Sequence, residues 1–532
     1  MAIQIEEDEN NDSYDNNNNN NDDNNSGRGG FSGGGGGGFG NIIGMILPLL
    51  MRNPKMGFAV LVIGGLGYFV YSKFSGNSNN SRSSNSKNYS SLARGADLSP
   101  EVFSEAFVFE PLSATGNTLP ERMSLEQYAP TRKNQGEQGS CVGWGSAYAA
   151  RTILEAVATG KNPDNLAFSP SFLYNQISLE NCQGSYVQRA MDNMLKVGSM
   201  PFTEFAYNDK SCSKKPNSSE LQEAGQHKMR GSNRLTKKED DLQIDFLAIK
   251  QNIAHKAPVV IGMMVGGSFM QDMMGQKVWK PTQSDMKMRG FGGHCMTIIG
   301  YDDYLEGGAF QLMNSWGEEW GEKGLAWVRY ADFKHFGKEA YGVFPLRDAK
   351  KPANSVFNAK VGLMLNESKQ NIGFKAVPSA TGNVFESVQA LNKADKKGSK
   401  FKIQVTNSEE CYTYVFAEEN NASKVLFPYT KKHSPYCGIT GTRLFPKDFS
   451  MFPDAVGAKD YMAVVMTKQS IDFDALNKKI NSSKRATFAE RVNEALAQET
   501  TKGTFQAGNL VEVQGANDNK NAIAIILAIN KK

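Results

Sequence analysis

Cys141 stands where the glycine-rich turn Gln135-Gly136-Glu137-Gln138-Gly139-Ser140 runs into the apolar-periodic stretch Val142 to Thr159. A cysteine at a helix start meets unpaired backbone N–H groups and the positive end of the helix dipole, and both favour thiolate over thiol. A thiolate becomes a catalytic nucleophile when a base and an orienting group accompany it. The candidate base is His294, about 150 residues further on in Gly292-Gly293-His294-Cys295-Met296-Thr297. An orienting amide, Asn314, follows in Leu312-Met313-Asn314-Ser315-Trp316-Gly317, with Trp320-Gly321 beyond. Taken singly, each has an ordinary reading: a small buried hydrophobe, a satisfied core histidine, a turn residue at a strand end. Together they supply the sulfur, proton carrier and ring orienter that attack on an amide requires.

The stretches Gln135 to Cys141, His294 onward and Asn314 to Gly321 resemble, in sequence and order, the three motifs of the papain family of cysteine peptidases. The resemblance covers about residues 119–347 and implies a two-lobed α+β fold with the cleft between lobes. It implies peptide-bond hydrolysis through an acyl-thioester, with no metal or organic cofactor. It also implies that Gln135 donates its side-chain amide to the oxyanion and that Trp316 shields the His294–Asn314 contact from water. Where the family often carries a tryptophan after the nucleophile and a cysteine three residues before it, this chain has Val142 and Gln138. Cys182-Gln183-Gly184 resembles the segment that builds one cleft wall, with Ser185 in place of its second glycine. These departures bear on subsite specificity. Family members commonly carry a helical inhibitory prosegment; the stretch before Gln135 is too short for one, so no prosegment is expected over this cleft.

Six cysteines fall at 141, 182, 212, 295, 411 and 437, with no C-x-x-C spacing of a structural zinc site. Setting aside Cys141 and Cys295, the others form two local pairs, Cys182–Cys212 and Cys411–Cys437, expected as disulfides in an oxidising compartment. Adjacent strand residues point to opposite faces, so His294 and Cys295 do not make a metal pair, and no metal is expected. His227, His255, His335 and His433 read as surface or structural. A formal net charge of +4 over 532 residues does not call for a nucleic-acid partner.

The positioning elements follow from pattern. Ala147, Ala150, Leu154 and Val157 recur at helical spacing, which puts the nucleophile at the exposed start of a core-facing helix. Asp245 to His255 reads as a helix; Pro258 to Val265, Cys295 to Tyr301, Phe310 to Met313, Leu325 to Tyr330 and Tyr341 to Leu346 read as strands. Residues 1–41, rich in Asn, Asp and Gly, read as a disordered leader. The apolar run at 42–74, with a helix at about 57–72, reads as a single membrane anchor, and 75–96 as a Ser/Asn-rich linker. The peptidase domain spans 97–347, and 348–398 is a linker or the start of an accessory domain. Residues 399–532 alternate in strands, as in Phe401, Ile403 and Val405, around one helix with the capping box Thr487 and Glu490. This β-rich domain reads as a sandwich and resembles a domain of uncharacterised function appended to bacterial envelope and signalling proteins.

The chain thus reads as a membrane-anchored cysteine peptidase facing the extracytoplasmic side, acting on protein or peptide substrates, with a C-terminal domain suited to partner binding or spacing. Two alternatives stand: a non-hydrolytic peptide-binding or assembly protein on the same fold, and a transpeptidase or processing enzyme using the same acyl-enzyme.

Overall fold

The computed structural model describes residues 3–7, 92–114, 117–344, 357–394, 398–516 and 520–532. The expected anchor at 42–74, most of the leader and most of the linker lie outside them. Among the described residues no helix is long and apolar enough to cross a membrane. Within the leader expected to be disordered, residues with the alternating pattern Ile3-Gln4-Ile5-Glu6 form a strand, β1 (Ile3–Glu7).

Residues 92–344 combine helices with one eight-stranded sheet, an α+β arrangement. Helix α1 (Pro100–Ser104) is capped by the Ser99 side chain on the Val102 N–H. The long helix α2 (residues 141–159) begins as α-helix, winds as a π-helix over Trp144–Arg151 and finishes as α-helix at Thr159. Gly160, in the left-handed region at φ 67°, closes it by donating to the Ala156 carbonyl. Helices α3 (Pro170–Ile177) and α4 (Val187–Lys196) pack beside it, while α5 (Phe246–Ala254), capped by Asp245, packs on the sheet. That sheet has strands β2 (Arg122–Ser124), β3 (Gly231–Arg234), β4 (Val259–Val265), β5 (Val278–Trp279), β6 (Gly292–Asp302), β7 (Ala309–Met313), β8 (Leu325–Arg329) and β9 (Gly337–Phe344). Its order is β3-β9-β4-β6-β7-β8-β5, with β2 on β6.

Every residue of α2 from Cys141 to Leu154 is buried, so this part of the helix presents no solvent face. Its approach to β6 needs a bare backbone at Gly145: an added Cβ would lie 2.9 Å from the Cys295 sulfur. Thr297 on β6 donates its hydroxyl to the Gly145 carbonyl at 2.8 Å, which fixes the register of helix on strand. The apolar run of β6 is buried on both faces, as expected of a strand with layers on each side.

The C-terminal region is a sandwich of two seven-stranded sheets. Its strands are β10 (Asn358–Leu365), β11 (Phe374–Ala376), β12 (Val384–Ser387), β13 (Phe401–Asn407), β14 (Cys411–Glu419), β15 (Ala422–Phe427), β16 (Tyr436–Cys437), β17 (Gly441–Phe445), β18 (Phe449–Pro453), β19 (Lys459–Thr467), β20 (Thr504–Gln506), β21 (Val511–Gln514) and β22 (Ala522–Asn530). One sheet runs β1-β18-β13-β10-β21-β20 with β17 on β13; the other runs β11-β12-β22-β19-β14-β15 with β16 on β14. Val361, Ile403 and Val405 of the first meet Val415, Val464 and Ile525 of the second in one core. The outer face of the second sheet is covered by α6 (Phe473–Ser482) and α7 (Phe488–Leu496), through Ile480, Phe488 and Val492. The expected capping box, Thr487 with Glu490, starts α7. Strands β10, β11 and β12 belong to these sheets, so residues 358–365, 374–376 and 384–387 pack with the sandwich.

The Cys182–Cys212 disulfide is formed. The Cys411–Cys437 expectation is corrected: these residues face each other across β14 and β16 but are thiols. The Thr413 hydroxyl, 3.9 Å from one sulfur and 3.4 Å from the other, gives both a polar partner inside the core.

Candidate active site

The turn before α2 is held by polar side chains that sequence reasoning did not weight. The Ser140 and Tyr207 hydroxyls are hydrogen-bonded at 2.6 Å, and Tyr207 also reaches the Gln135 carbonyl at 2.7 Å. Gln135 is fully buried; its Nε2 donates to the Gln138 carbonyl at 2.8 Å and its Oε1 accepts from the Ser315 hydroxyl at 2.6 Å. The Gln135 N–H donates to the Ser315 carbonyl at 2.8 Å. Ser315 follows Asn314, so one residue ties the nucleophile's turn to the loop carrying the orienting amide.

His294 projects from β6 and is fully buried. Its Nε2 lies 2.8 Å from Asn314 Oδ1, which also accepts the Ser315 N–H at 2.8 Å. An oxygen that accepts twice makes Nε2 the donor, so the neutral ring carries its proton there. Nδ1 is buried without a partner. The Trp316 indole stacks on the imidazole at 4.4 Å between ring centres, with 23° between planes. Cys141 begins α2, which packs on β6 through Gly145 and Thr297 close to His294, and the backbone of Cys295 favours its thiolate. Gln135, Asn314, His294 and Trp316 are thus linked through Ser315 and direct contacts, and Cys141 follows the turn that Gln135 begins.

The expectation of an uncovered cleft is corrected. Residues 92–98, placed by sequence mostly in the linker, lie along the cleft as a strap. The Trp316 indole N–H donates to the Ala93 carbonyl at 2.9 Å. Arg94 donates from Nη1 to the carbonyls of Val265 and Gly290, each at 2.9 Å. On the helical side, Ser185 N–H donates to the Gly95 carbonyl at 2.8 Å and Asp97 N–H to the Ser185 carbonyl at 3.0 Å, a parallel bridge at Ala96. Ser185, despite replacing a glycine, uses only its backbone there. On the sheet side, the N–H groups of Gly95 and Ala96 reach the Gly293 carbonyl at 3.3 and 3.1 Å. The Gly95 N–H is directed at the Gly293 carbonyl and the Gly95 carbonyl is held by the Ser185 N–H.

Under the strap both reactive groups lose water. Burial pushes the Cys141 thiol up to about 12, against weaker pulls from its backbone donors. Burial pushes His294 down to about 4, with the Asn314 bond opposing and the Arg94 charge adding to the shift. At neutral pH the covered pair is thiol and neutral imidazole. Among the described residues no group of three His, Cys, Asp or Glu is arranged to hold a metal ion.

Residues 119–346 match the model of the papain family cysteine proteases. This region belongs to the papain family. Relatives include the cysteine protease Amb a 11.0101 of Ambrosia artemisiifolia, 26% identical over 227 residues, covering 41% of this chain and 53% of the relative. Cathepsin K of Mus musculus is 27% identical over 205 residues, covering 37% and 56%. The chain thus spans about half the length of these relatives. Among solved structures, xylellain, a cysteine protease from Xylella fastidiosa, is 22% identical with a TM-score of 0.40, covering 50% of this chain and 100% of that one. The sandwich lies outside the papain-family region, which ends at 346.

Proposed function

We propose that this chain is a cysteine-type peptidase that hydrolyses peptide bonds of protein or peptide substrates, held latent by its own strap. The observation that carries the reading is the His294–Asn314 bond at 2.8 Å, which leaves Nδ1 unpartnered for a thiol proton. Once the strap withdraws, water and substrate re-solvate the pair; the thiol pKa falls, the imidazole pKa rises, and a thiolate–imidazolium pair forms. Cys141 attacks the substrate carbonyl and His294 protonates the departing amine, while Asn314 holds the ring. The Cys141 backbone N–H and the second Nε2 hydrogen of Gln135 stabilise the oxyanion. Water then hydrolyses the thioester with His294 as base.

The proposal includes tethering through the apolar run at 42–74, on the extracytoplasmic side. That placement is supported by the length of the run from Gly57 to Ser72 and by the Cys182–Cys212 bond, which suits an oxidising compartment. The C-terminal sandwich is proposed to bind a partner or substrate.

The test is intact-mass analysis of the full chain carrying Gly95→Val, treated with an epoxide inhibitor that requires an activated thiolate. Stoichiometric labelling, lost in Cys141→Ala and strongly slowed in His294→Ala, is expected, together with peptide hydrolysis. A folded chain that neither labels nor cleaves would favour the peptide-holding alternative. Amide products appearing only with added amine would identify transfer instead of hydrolysis.

A further inference from the structure

Strand β18 joins the sandwich by little backbone pairing. Its ladder to β13 joins Met451 to Phe401, and side chains supply further bonds. The Lys402 ammonium donates to the Phe449 carbonyl at 2.8 Å, and the Asn366 amide donates to the Ser450 hydroxyl. Ser450, Met451 and Pro453 are buried, so β18 is part of the packed domain. Its other edge is taken along its whole length by β1, from the far end of the chain. The two run antiparallel, with Ile3 opposite Pro453, Ile5 opposite Met451 and Glu7 opposite Phe449. Without β1 the N–H and C=O groups on that edge have no ladder partner, which is a liability for a sheet. Pro453, which cannot donate, is a residue found at such edges. The alternating Ile3-Gln4-Ile5-Glu6 is the pattern of a strand that fills one.

This pairing bears on the apolar run at 42–74, which lies in the chain between the two partners. Paired strands lie about 4.8 Å apart, whereas the hydrocarbon core of a bilayer is about 30 Å thick. A run that crossed once would leave β1 and β18 on opposite sides, where they could not pair. Resting on the tethering proposed above, we infer that β1 docks on its own sandwich and that the N-terminus lies on the same side of the membrane as the enzyme, so that the run at 42–74 holds the chain without a net crossing. The sequence of the run agrees. Arg52-Asn53-Pro54-Lys55 divides it into 42–51 and 57–72, which as helix would span about 15 and about 24 Å, each short of the hydrocarbon thickness. The long connection does not oppose docking, because loop-closure entropy grows only with the logarithm of length. The tether is then held to the enzyme at both ends, by β1 before it and by the strap at 92–98 after it.

The test is made on the full chain in sealed membrane vesicles of known orientation. Cys141, Cys295, Cys411 and Cys437 are buried and Cys182 is bridged to Cys212, so a membrane-impermeant maleimide reports on introduced cysteines. Ala2→Cys, just before β1, and Val456→Cys, exposed just after β18, are expected to label from the same face of the vesicle. Labelling from opposite faces overturns the inference and leaves the tether intact. A chain that washes off the vesicles overturns the tether and the sidedness with it. Docking is read independently by disulfide cross-linking under mild oxidation, with Gln4→Cys opposite Phe452→Cys and, in a second chain, Glu6→Cys opposite Ser450→Cys. Either pair is expected to give a cross-linked monomer in at least about tenfold greater yield than Gln4→Cys with Val388→Cys, an exposed position at the end of β12. No excess over that control in either pair, or a cross-linked dimer in place of the monomer, overturns the docking.

Discussion

A thiol raised to about 12 and an imidazole lowered to about 4 make a reactivity prediction at the level of single residues. Alkylation needs thiolate, and five units below its pKa only about one thiol in 10⁵ is ionised at pH 7. Iodoacetamide should therefore modify Cys141 of the closed chain slowly, with a rate still climbing tenfold per pH unit above pH 9. In the Gly95→Val chain the rate should be high at neutral pH and flat across it. A neutral-pH plateau in the unaltered chain, read by mass spectrometry, would show that the covered pair is already ionised. Asn314→Ala should lower kcat/KM in the opened chain by about 10²-fold, because the ring loses the acceptor that fixes its tautomer. Cys141, His294 and Asn314 were legible because each sits in a local stretch whose residue types state its chemistry. The Ser140–Tyr207 and Gln135–Ser315 bonds were not, since a buried serine and a surface serine read alike until the chain is folded.

Helices and strands were legible where burial imposes a period, as in β6 and in the alternation of β13. The strap was not legible, because its bonds are to groups about 90 to 220 residues away and leave no periodic trace within 92–98. Its geometry nevertheless depends on one residue type. A Cβ on Gly95 would lie 2.0 Å from the Gly139 carbonyl oxygen, a contact between two backbones that no side-chain rotation relieves. Overpacking of this kind costs about 1–3 kcal/mol, so Gly95→Val should raise the initial rate of peptide hydrolysis by about 5- to 150-fold. Unchanged activity would mean that the strap does not limit access. Gly145→Ala acts on the neighbouring junction of α2 and β6, where the new methyl meets the Cys295 sulfur; a loss of about 1–3 kcal/mol in urea unfolding is expected.

The sandwich was legible at the scale of the whole molecule from alternating strands, whereas its junction with the peptidase domain was not. Nothing in the local sequence marks Arg443 as an interior residue, yet it is buried and donates to the Glu110 carbonyl, Asn407 Oδ1 and the Ile439 carbonyl at 3.0, 2.8 and 2.8 Å. Residues 105–113 run between the domains, with Val108 bonded to Lys432 and Ser434, and Ser113 to Thr442. The Glu110 carboxyl, 5% exposed, is pushed from 4.5 up to about 8 by burial, with Lys447 and Arg443 opposing and Asp448 adding. A carboxyl whose folded pKa is raised binds its proton more tightly in the folded chain. Its favourable contribution is therefore complete below about pH 4.5 and declines as pH rises toward 8. At pH 7 the loss is on the order of 3 kcal/mol, enough to make this junction a pH-sensitive part of the fold. Glu110→Gln keeps the shape without the titration, so it should stabilise the full chain at pH 7 to 8 by an amount of that order and leave it unchanged near pH 4.5. Urea midpoints measured across that range decide the matter: curves for the two chains that converge only at acid pH support the assignment, and parallel curves remove it.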